Sequence, residues 1–244
     1  MYCTVGDFFF SHKTILLNSP VKFEPDILLC MKVVFEYSRE KDIWCILNYG
    51  KTSTNSPFPT KVYEQFVESY GSASSNENAG TFIENYLSGN KIEVDVYRNT
   101  YQFDWDGIAD EYEKIAEDIF KVNIPNTVTA YLTINNRSPY SIESNLFFVK
   151  VPSESVRKTV IHELWHFYTW YKFGVVWEEK IGKEKYNEIK EALTVLLNIE
   201  CKGLLPEGIL DMGYSQHQEL RTKIVELWSK ERDMDKLWSG LIEC

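Results

Sequence analysis

Val160-Ile161-His162-Glu163-Leu164-Trp165-His166-Phe167-Tyr168 is the stretch on which the reading of the chain turns. It contains the pattern HExxH, two histidines four residues apart, so that in a helix both imidazoles leave one face and can reach one ion. At about 100° per residue, Glu163 lies roughly 60° around from His166, near that ion but off the ligand direction. It is placed to take a proton from water rather than to bind the ion itself. Zinc suits the arrangement, because it accepts nitrogen and carboxylate ligands and keeps one position open. Val160, Ile161, Leu164, Trp165, Phe167 and Tyr168 make the helix apolar on nearly every side, which predicts burial. Two histidines and a glutamate buried there are costly unless a metal compensates them. The plainer alternative is a chance string with two buried, hydrogen-bonded histidines.

Working outward, Leu146 to Val151 reads as a strand bounded by Pro152, after which Ser153 can cap the helix and Gly174 can end it near Phe173. Upstream, Thr127 to Ile134 alternates and is β-branched, a strand. Asp106 to Val122 carries Ile108, Ala109, Tyr112, Ile115, Ala116 and Ile119 at amphipathic-helix spacing. Lys91 to Tyr97 alternates like a half-buried strand, and between residues 27 and 49 runs such as Lys32 to Tyr37 suggest strands. Gly71 to Gly80 and Thr52 to Pro59 read as surface loops. Downstream, a helix from about Lys183 to Cys201 is closed by Gly203 and Pro206. Two amphipathic helices follow, one with Leu220, Ile224, Leu227 and Trp228, the other with Met234, Leu237, Trp238 and Leu241. The order is α+β, with no internal repeat.

A third ligand must come from elsewhere. Thr169 and Lys172 stand where the continuation HExxHxxGxxH requires Gly and His. The other histidines are His12, distant in sequence, and His217. In the next helix, Glu191 stands at the mouth of a stretch that is apolar almost all round from Ala192, which makes it the preferred ligand. The competing reading places Glu191 in a solvated stripe with Glu184, Asn187 and Thr194.

On these residues the chain resembles the gluzincins, the thermolysin-like clan of zinc metallopeptidases, and especially their minimal relatives, over roughly residues 105–200. The resemblance implies a zincin-like catalytic domain in which His162, His166 and Glu191 bind zinc and Glu163 is the general base. It also implies an antiparallel edge strand before the active helix that holds extended substrate, a position that Phe147 to Val151 would occupy. Thermolysin-like enzymes often place a histidine-orienting aspartate four residues after the ligand glutamate. Val195 stands there, leaving Asn198 or Thr194 as partners outside the ligand set. Gly208 to Tyr214 is similar to the aspzincin pattern, which makes Asp211 the runner-up ligand, although Ile209 and Ser215 depart from it. Gluzincins commonly supply a downstream Tyr or His to the oxyanion, a role open to Tyr214 and His217. A helix N-terminus with a surface histidine reads equally well. Met212 is more simply a core or turn residue than a metzincin Met-turn.

Composition bounds these readings. In 244 residues, 44% are hydrophobic and 15% aromatic, enough for a substantial core and against extensive disorder. With 26 basic and 36 acidic residues, the net charge of −10 argues against nucleic acid as partner. Cys3, Cys30, Cys45, Cys201 and Cys244 are odd in number and contain no CxxC pair, which points to a reducing compartment. Phe8-Phe9-Phe10 is too short for a signal peptide, and no run approaches a membrane span, so the expected location is cytoplasmic. The expected organisation is a mixed N-terminal portion, 1–100, and a zincin-like metallopeptidase domain, 101–244. The expected activity is zinc-dependent peptide-bond hydrolysis on a peptide or protein substrate. The rivals are a structural zinc in a regulatory or partner-binding protein, and an N-terminal recognition module beside a vestigial zincin domain. No exopeptidase motif of the GxMEN type is present, which disfavours an aminopeptidase.

Overall fold

The computed structural model describes residues 31–51, 58–72 and 75–242. The Phe8-Phe9-Phe10 patch, His12, Cys3, Cys30, Cys244 and residues 52–57 lie outside them. The elements begin with β1 (Lys32–Glu36), α1 (Arg39–Tyr49), α2 (Lys61–Tyr70), α3 (Asn76–Gly89), α4 (Val94–Asp106) and α5 (Ala109–Phe120). Three strands follow, β2 (Thr127–Thr133), β3 (Tyr140–Ser141) and β4 (Leu146–Lys150). The chain then runs through α6 (Val156–Ile181), α7 (Lys183–Leu193), α8 (Leu197–Glu200), α9 (Gln218–Lys230) and α10 (Met234–Ile242).

The fold is mixed α+β. One sheet has the order β1-β2-β4-β3, with β1, β2 and β4 parallel and β3 antiparallel to β4 at the edge. β4 is therefore interior, and the antiparallel edge strand before the HExxH helix is β3, not the expected Phe147 to Val151. α6 packs against β4, α4, α5 and α7, so it is the central helix. One apolar core extends from Met31 to Leu241. Residue 100 lies inside α4, and β1 pairs with β2 across it, so the parts on either side of that boundary share sheet and core. Phe35, Phe66 and Phe82 are buried in this core, where they pack rather than form a recognition surface. Cys45 and Cys201 are free and buried. Among the described residues no helix is long and apolar enough to cross a membrane.

Several local expectations change for physical reasons. Lys91 to Tyr97 is not a strand. Val94, Tyr97, Tyr101 and Trp105 recur at helical spacing, and a seven-residue window sees only the accidental alternation at its start. Residues 39–49 form α1, with Ser38 accepting from the Lys41 amide as its cap, so only Lys32–Glu36 of that region is a strand. The 71–80 loop is shorter than expected, because Ser75 caps α3 and Ala79 and Gly80 are buried. Gly174 does not end α6. It lies under the Trp170 ring, where a Cβ would come within 2.3 Å, and the helix runs on to Gly182, whose φ of 83° suits glycine. The helix expected over Lys183 to Cys201 is broken at Thr194–Leu196 by a 3-10 turn.

One buried polar cluster ties the N-terminal elements to the region of the HExxH helix. Asp42 on α1 is fully buried, and its Oδ1 accepts from the Thr133 hydroxyl (2.6 Å) and the Ile134 amide (3.2 Å). Asn135 continues the link, accepting from the Thr60 hydroxyl (2.8 Å) and donating to the Cys45 carbonyl (3.4 Å). These bonds fix the segment 134–139 that leads into β3. Asp42 Oδ2 is buried with no hydrogen-bond partner, and burial pushes the carboxyl from 3.8 up to about 7 against its two hydrogen bonds. Below 3.8 both folded and unfolded chains hold this proton. Between there and about 7 the unfolded chain releases it first, so this group's contribution to stability falls as pH rises and levels off above about 7. Asp42→Asn keeps the accepting oxygen and is expected to unfold in urea with a free energy about 1–4 kcal/mol higher than wild type at pH 8, and near wild type at pH 4. A difference that does not grow with pH would remove Asp42 as its source.

Candidate metal centre

α6 is buried through Val160, Ile161, Leu164, Trp165, Phe167 and Tyr168, and this burial carries its polar residues inward with it. His162 and His166 lie one turn apart with ring centroids 4.6 Å apart and planes at 81°. α7 packs on α6 and brings Glu191 to the same point from its last turn. Glu191 Oε2 stands 3.5 Å from His166 Nε2 and 4.0 Å from His162 Nε2, and the three ligand atoms all fall within 4.8 Å of one another. Ligands of a tetrahedral zinc at their usual bond lengths stand about 3.4 Å apart, so small adjustments would close the triad on an ion. Two nitrogens and one carboxylate oxygen form a donor set that zinc accepts. Glu191 is 11% exposed and Thr194 fully buried, so this end of α7 is no solvated stripe.

Asp211 is not a fourth ligand. Its Oδ2 accepts from His162 Nδ1 at 2.6 Å, which fixes the tautomer and leaves Nε2 to face the triad. Asp211 is itself held from three sides. Its Oδ1 accepts from the Thr194 hydroxyl (2.8 Å) and Arg221 Nη1 (3.2 Å), and its main chain exchanges two 2.8 Å bonds with the Asn198 side chain. Thr194 and Asn198 thus act through Asp211, not directly on a histidine. At the 3-10 turn Thr194–Leu196 the Thr194 hydroxyl lies 2.8 Å from both the Glu191 carbonyl and Asp211 Oδ1, which share its one proton. Gly213, at φ 58°, leaves room for Arg221, whose Nη1 a Cβ there would approach to 2.4 Å.

Three contributors escape sequence reading. Lys190 is 5% exposed, with Nζ 3.0 Å from Glu191 Oε1, and it also donates to the Tyr140 hydroxyl on β3. The Tyr140 ring in turn packs on His166, with centroids 5.3 Å apart. Arg221 occupies a core-facing position of α9, seven residues before Trp228 and three before Ile224, and an arginine in an apolar stripe is the only signal of its role.

Electrostatics separates the ionisable groups. Burial pushes the Glu163 carboxyl up to about 8, only partly countered by His162, and its Oε2 has no hydrogen-bond partner. Burial pushes Glu191 up too, but His166, Lys190 and His162 outweigh it and hold its carboxyl well below the usual carboxylate range. Burial likewise acts upward on Asp211, yet His162, Thr194 and Arg221 hold it at about 2. Burial lowers His166 to about 4, keeping its imidazole neutral. At His162 burial acts downward, but Asp211 reverses the direction.

The triad lines a cavity of about 830 Å³ together with the segment 136–140 and the loop 211–214. Glu163 lines it beside the triad. Tyr214 lines it at the rim, 37% exposed. His217 does not line it. This residue is buried behind Tyr214, with ring centroids 5.6 Å apart and Nδ1 unpartnered, so it is neither a surface histidine nor in contact with the cavity. Met212 is 70% exposed on the loop, a turn residue and not a core one.

Comparison with family models, curated proteins and solved structures finds no match for the chain. The site therefore stands on its own geometry, which one substitution probes directly. Asp211→Asn is expected to keep the fold and weaken zinc binding about 10- to 100-fold in competition with a chelating indicator. Unchanged affinity would show that the Asp211–His162 bond does not set the imidazole.

Proposed function

We propose that the chain is a zinc-dependent peptide-bond hydrolase, a gluzincin-like metallopeptidase on a zincin-like α+β frame. The observation that carries this reading is the convergence of His162, His166 and Glu191 in the lining of a cavity, with the buried Glu163 lining it outside the triad. Zinc, when bound, supplies a Lewis acid for the scissile carbonyl and lowers the pKa of water at the site. The chain's own residues do the rest. His166 offers a neutral nitrogen because burial disfavours its charge, and His162 is aimed by Asp211. Glu163 accepts the proton of the attacking water at its carboxylate and returns it to the leaving amine. Burial raises the Glu163 carboxyl, and a divalent charge beside it acts in the opposite direction.

The edge strand β3 and residues 136–139 before it give an extended peptide a backbone to pair with. Tyr214 at the cavity rim is available to the developing oxyanion, whereas His217 can act only through Tyr214. A structural zinc would close its fourth position with a Cys, an Asp or a further His. Among the described residues no further group joins the triad, and Asp211 is committed to His162, which supports catalysis over a structural staple.

The test starts from protein purified without chelators. About one zinc per wild-type chain is expected by elemental analysis, with cleavage of members of a peptide library. Glu163→Gln should keep the zinc and lose activity about 10²- to 10⁴-fold, and turnover near wild type would sink the general-base assignment. His162→Ala and Glu191→Ala should lose zinc on dialysis that wild type withstands. Tight stoichiometric zinc in Glu191→Ala would remove Glu191 as a ligand. Absence of metal from wild type even after zinc is added back would end the enzyme reading.

A further inference from the structure

The cavity above the triad is unevenly charged. Its acidic lining residues are Glu163, Glu191 and Asp211, and all three are largely buried. Glu191 is paired with Lys190 and the two histidines, Asp211 with His162 and Arg221, and Glu163 is buried beside them. The remaining charged lining residues are Arg137 and Lys158, both cationic, in a chain whose net charge is −10. Arg137 is committed to main-chain carbonyls: Nη1 donates to Tyr49 (2.7 Å) and Lys51, and Nη2 to Phe58. Lys158 differs. It is half-buried, lines the cavity and has no hydrogen bond or ion pair among the described residues.

Its place follows from the helix. Lys158 and His162 are four residues apart, so the lysine stands on the same face of α6, about 6 Å toward the N-terminus. The position is unfavourable for a cation on its own. The first turn of α6 holds Arg157 and Lys158 and no acidic residue, at the end where the helix dipole repels positive charge. Arg157 is compensated, with Nε 3.1 Å from Asp104 Oδ2 and a second contact to Oδ1. For Lys158 the described residues supply no such anion, and the cavity it lines gives a ligand access to it.

We infer that Lys158 receives a carboxylate of the substrate, so that the cleft selects acidic peptides. The carboxylate is either an Asp or Glu side chain near the scissile bond or the C-terminal carboxylate of a short peptide. The inference deepens the hydrolase reading and rests on it for the premise that a peptide occupies the cavity. A lysine–carboxylate contact in a half-buried position favours the acidic ligand by about tenfold.

Zinc-loaded Glu163→Gln protein separates binding from turnover. Fluorescent Ala/Ser octapeptides are titrated against it by anisotropy: amidated with a central Glu, amidated with a central Lys, amidated without charge, and uncharged with a free C-terminus. The same peptides are offered to wild type for cleavage. The Glu peptide or the free-acid peptide is expected to bind about tenfold tighter than its neutral counterpart, and which of the two does so identifies the source of the carboxylate. Lys158→Ala in this background should abolish the preference, Lys158→Glu should invert it in favour of Lys, and both should retain zinc. The preference should shrink as salt is raised. Equal affinities, a preference that survives Lys158→Glu, or no binding of any peptide would overturn the inference. Selective binding lost in the Lys158 variants without cleavage by wild type would sink the hydrolase reading and leave the inference standing. Cleavage without charge preference would do the reverse.

Discussion

A helix that is apolar around nearly its whole circumference must lie in the core, and α6 takes two imidazoles and a carboxylate there with it. Each would be costly alone, since burial removes the water that solvates its polar atoms. Much of the surrounding structure answers that cost. α7 supplies Glu191 to the imidazoles, the loop after α8 supplies Asp211, and α9 supplies Arg221 to hold Asp211. The two atoms left over are informative: His166 Nδ1 and Glu163 Oε2 are buried without partners, so the network is complete around Glu191 and Asp211 but not around the general-base candidate. A carboxylate that must exchange protons is poorly served by fixed donors, and an unpartnered oxygen beside a cavity meets that requirement.

The hydrogen-bond layers also explain backbone features that propensity does not. The turn at Thr194–Leu196 interrupts an otherwise helical run where the Thr194 hydroxyl spans Glu191 and Asp211. Gly213 adopts a left-handed conformation and leaves the guanidinium of Arg221 room to reach Asp211. On the other side, Lys190 grips Glu191 through Oε1, which leaves Oε2 directed at the histidines, and it ties the same carboxylate to Tyr140 on the edge strand. The sheet edge and the ligand helix are thereby locked to one another through a single buried ammonium.

What was legible in the sequence was what rests on local periodicity and short spacing. β2, α5 and the last two helices are readable because each buries one regular face, and the HExxH helix and β4 because each is a continuous apolar run. Glu191 was readable because an acidic residue precedes a fully apolar helical stretch. What was not legible depends on contacts distant in sequence. Asp211 reads as a candidate ligand from its loop motif, but its role as the partner of His162 Nδ1 requires knowing that residues 49 apart meet. Lys190, Tyr140 and Arg221 carry no motif at all. The substrate-edge assignment failed similarly. β3 is two residues long and has no periodicity to detect, so the resemblance places the edge on the longer β4 just ahead of the helix. Lys91 to Tyr97 failed because two periods agree over a short window and only the residues beyond it, Tyr101 and Trp105, decide between them.

The proposed division of labour between the site's carboxylates rests on their surroundings and not on their chemistry, which is identical for Glu163 and Glu191. Both are nearly buried, so desolvation raises both. Glu191 faces one ammonium and two imidazoles, enough to hold it ionised and ready to serve as an anionic ligand. At Glu163 burial outweighs the lowering by His162 and Lys190, and Glu191 and Asp211 add to it, so its carboxyl is pushed up to about 8. Two groups of one type whose environments drive their pKa values apart are the pattern expected of a ligand and a proton carrier working side by side. The identity of the residue just before Glu191 is central to that separation. With an apolar residue in place of Lys190, Glu191 would lose the ammonium paired with its Oε1, and the contrast between the two glutamates would narrow.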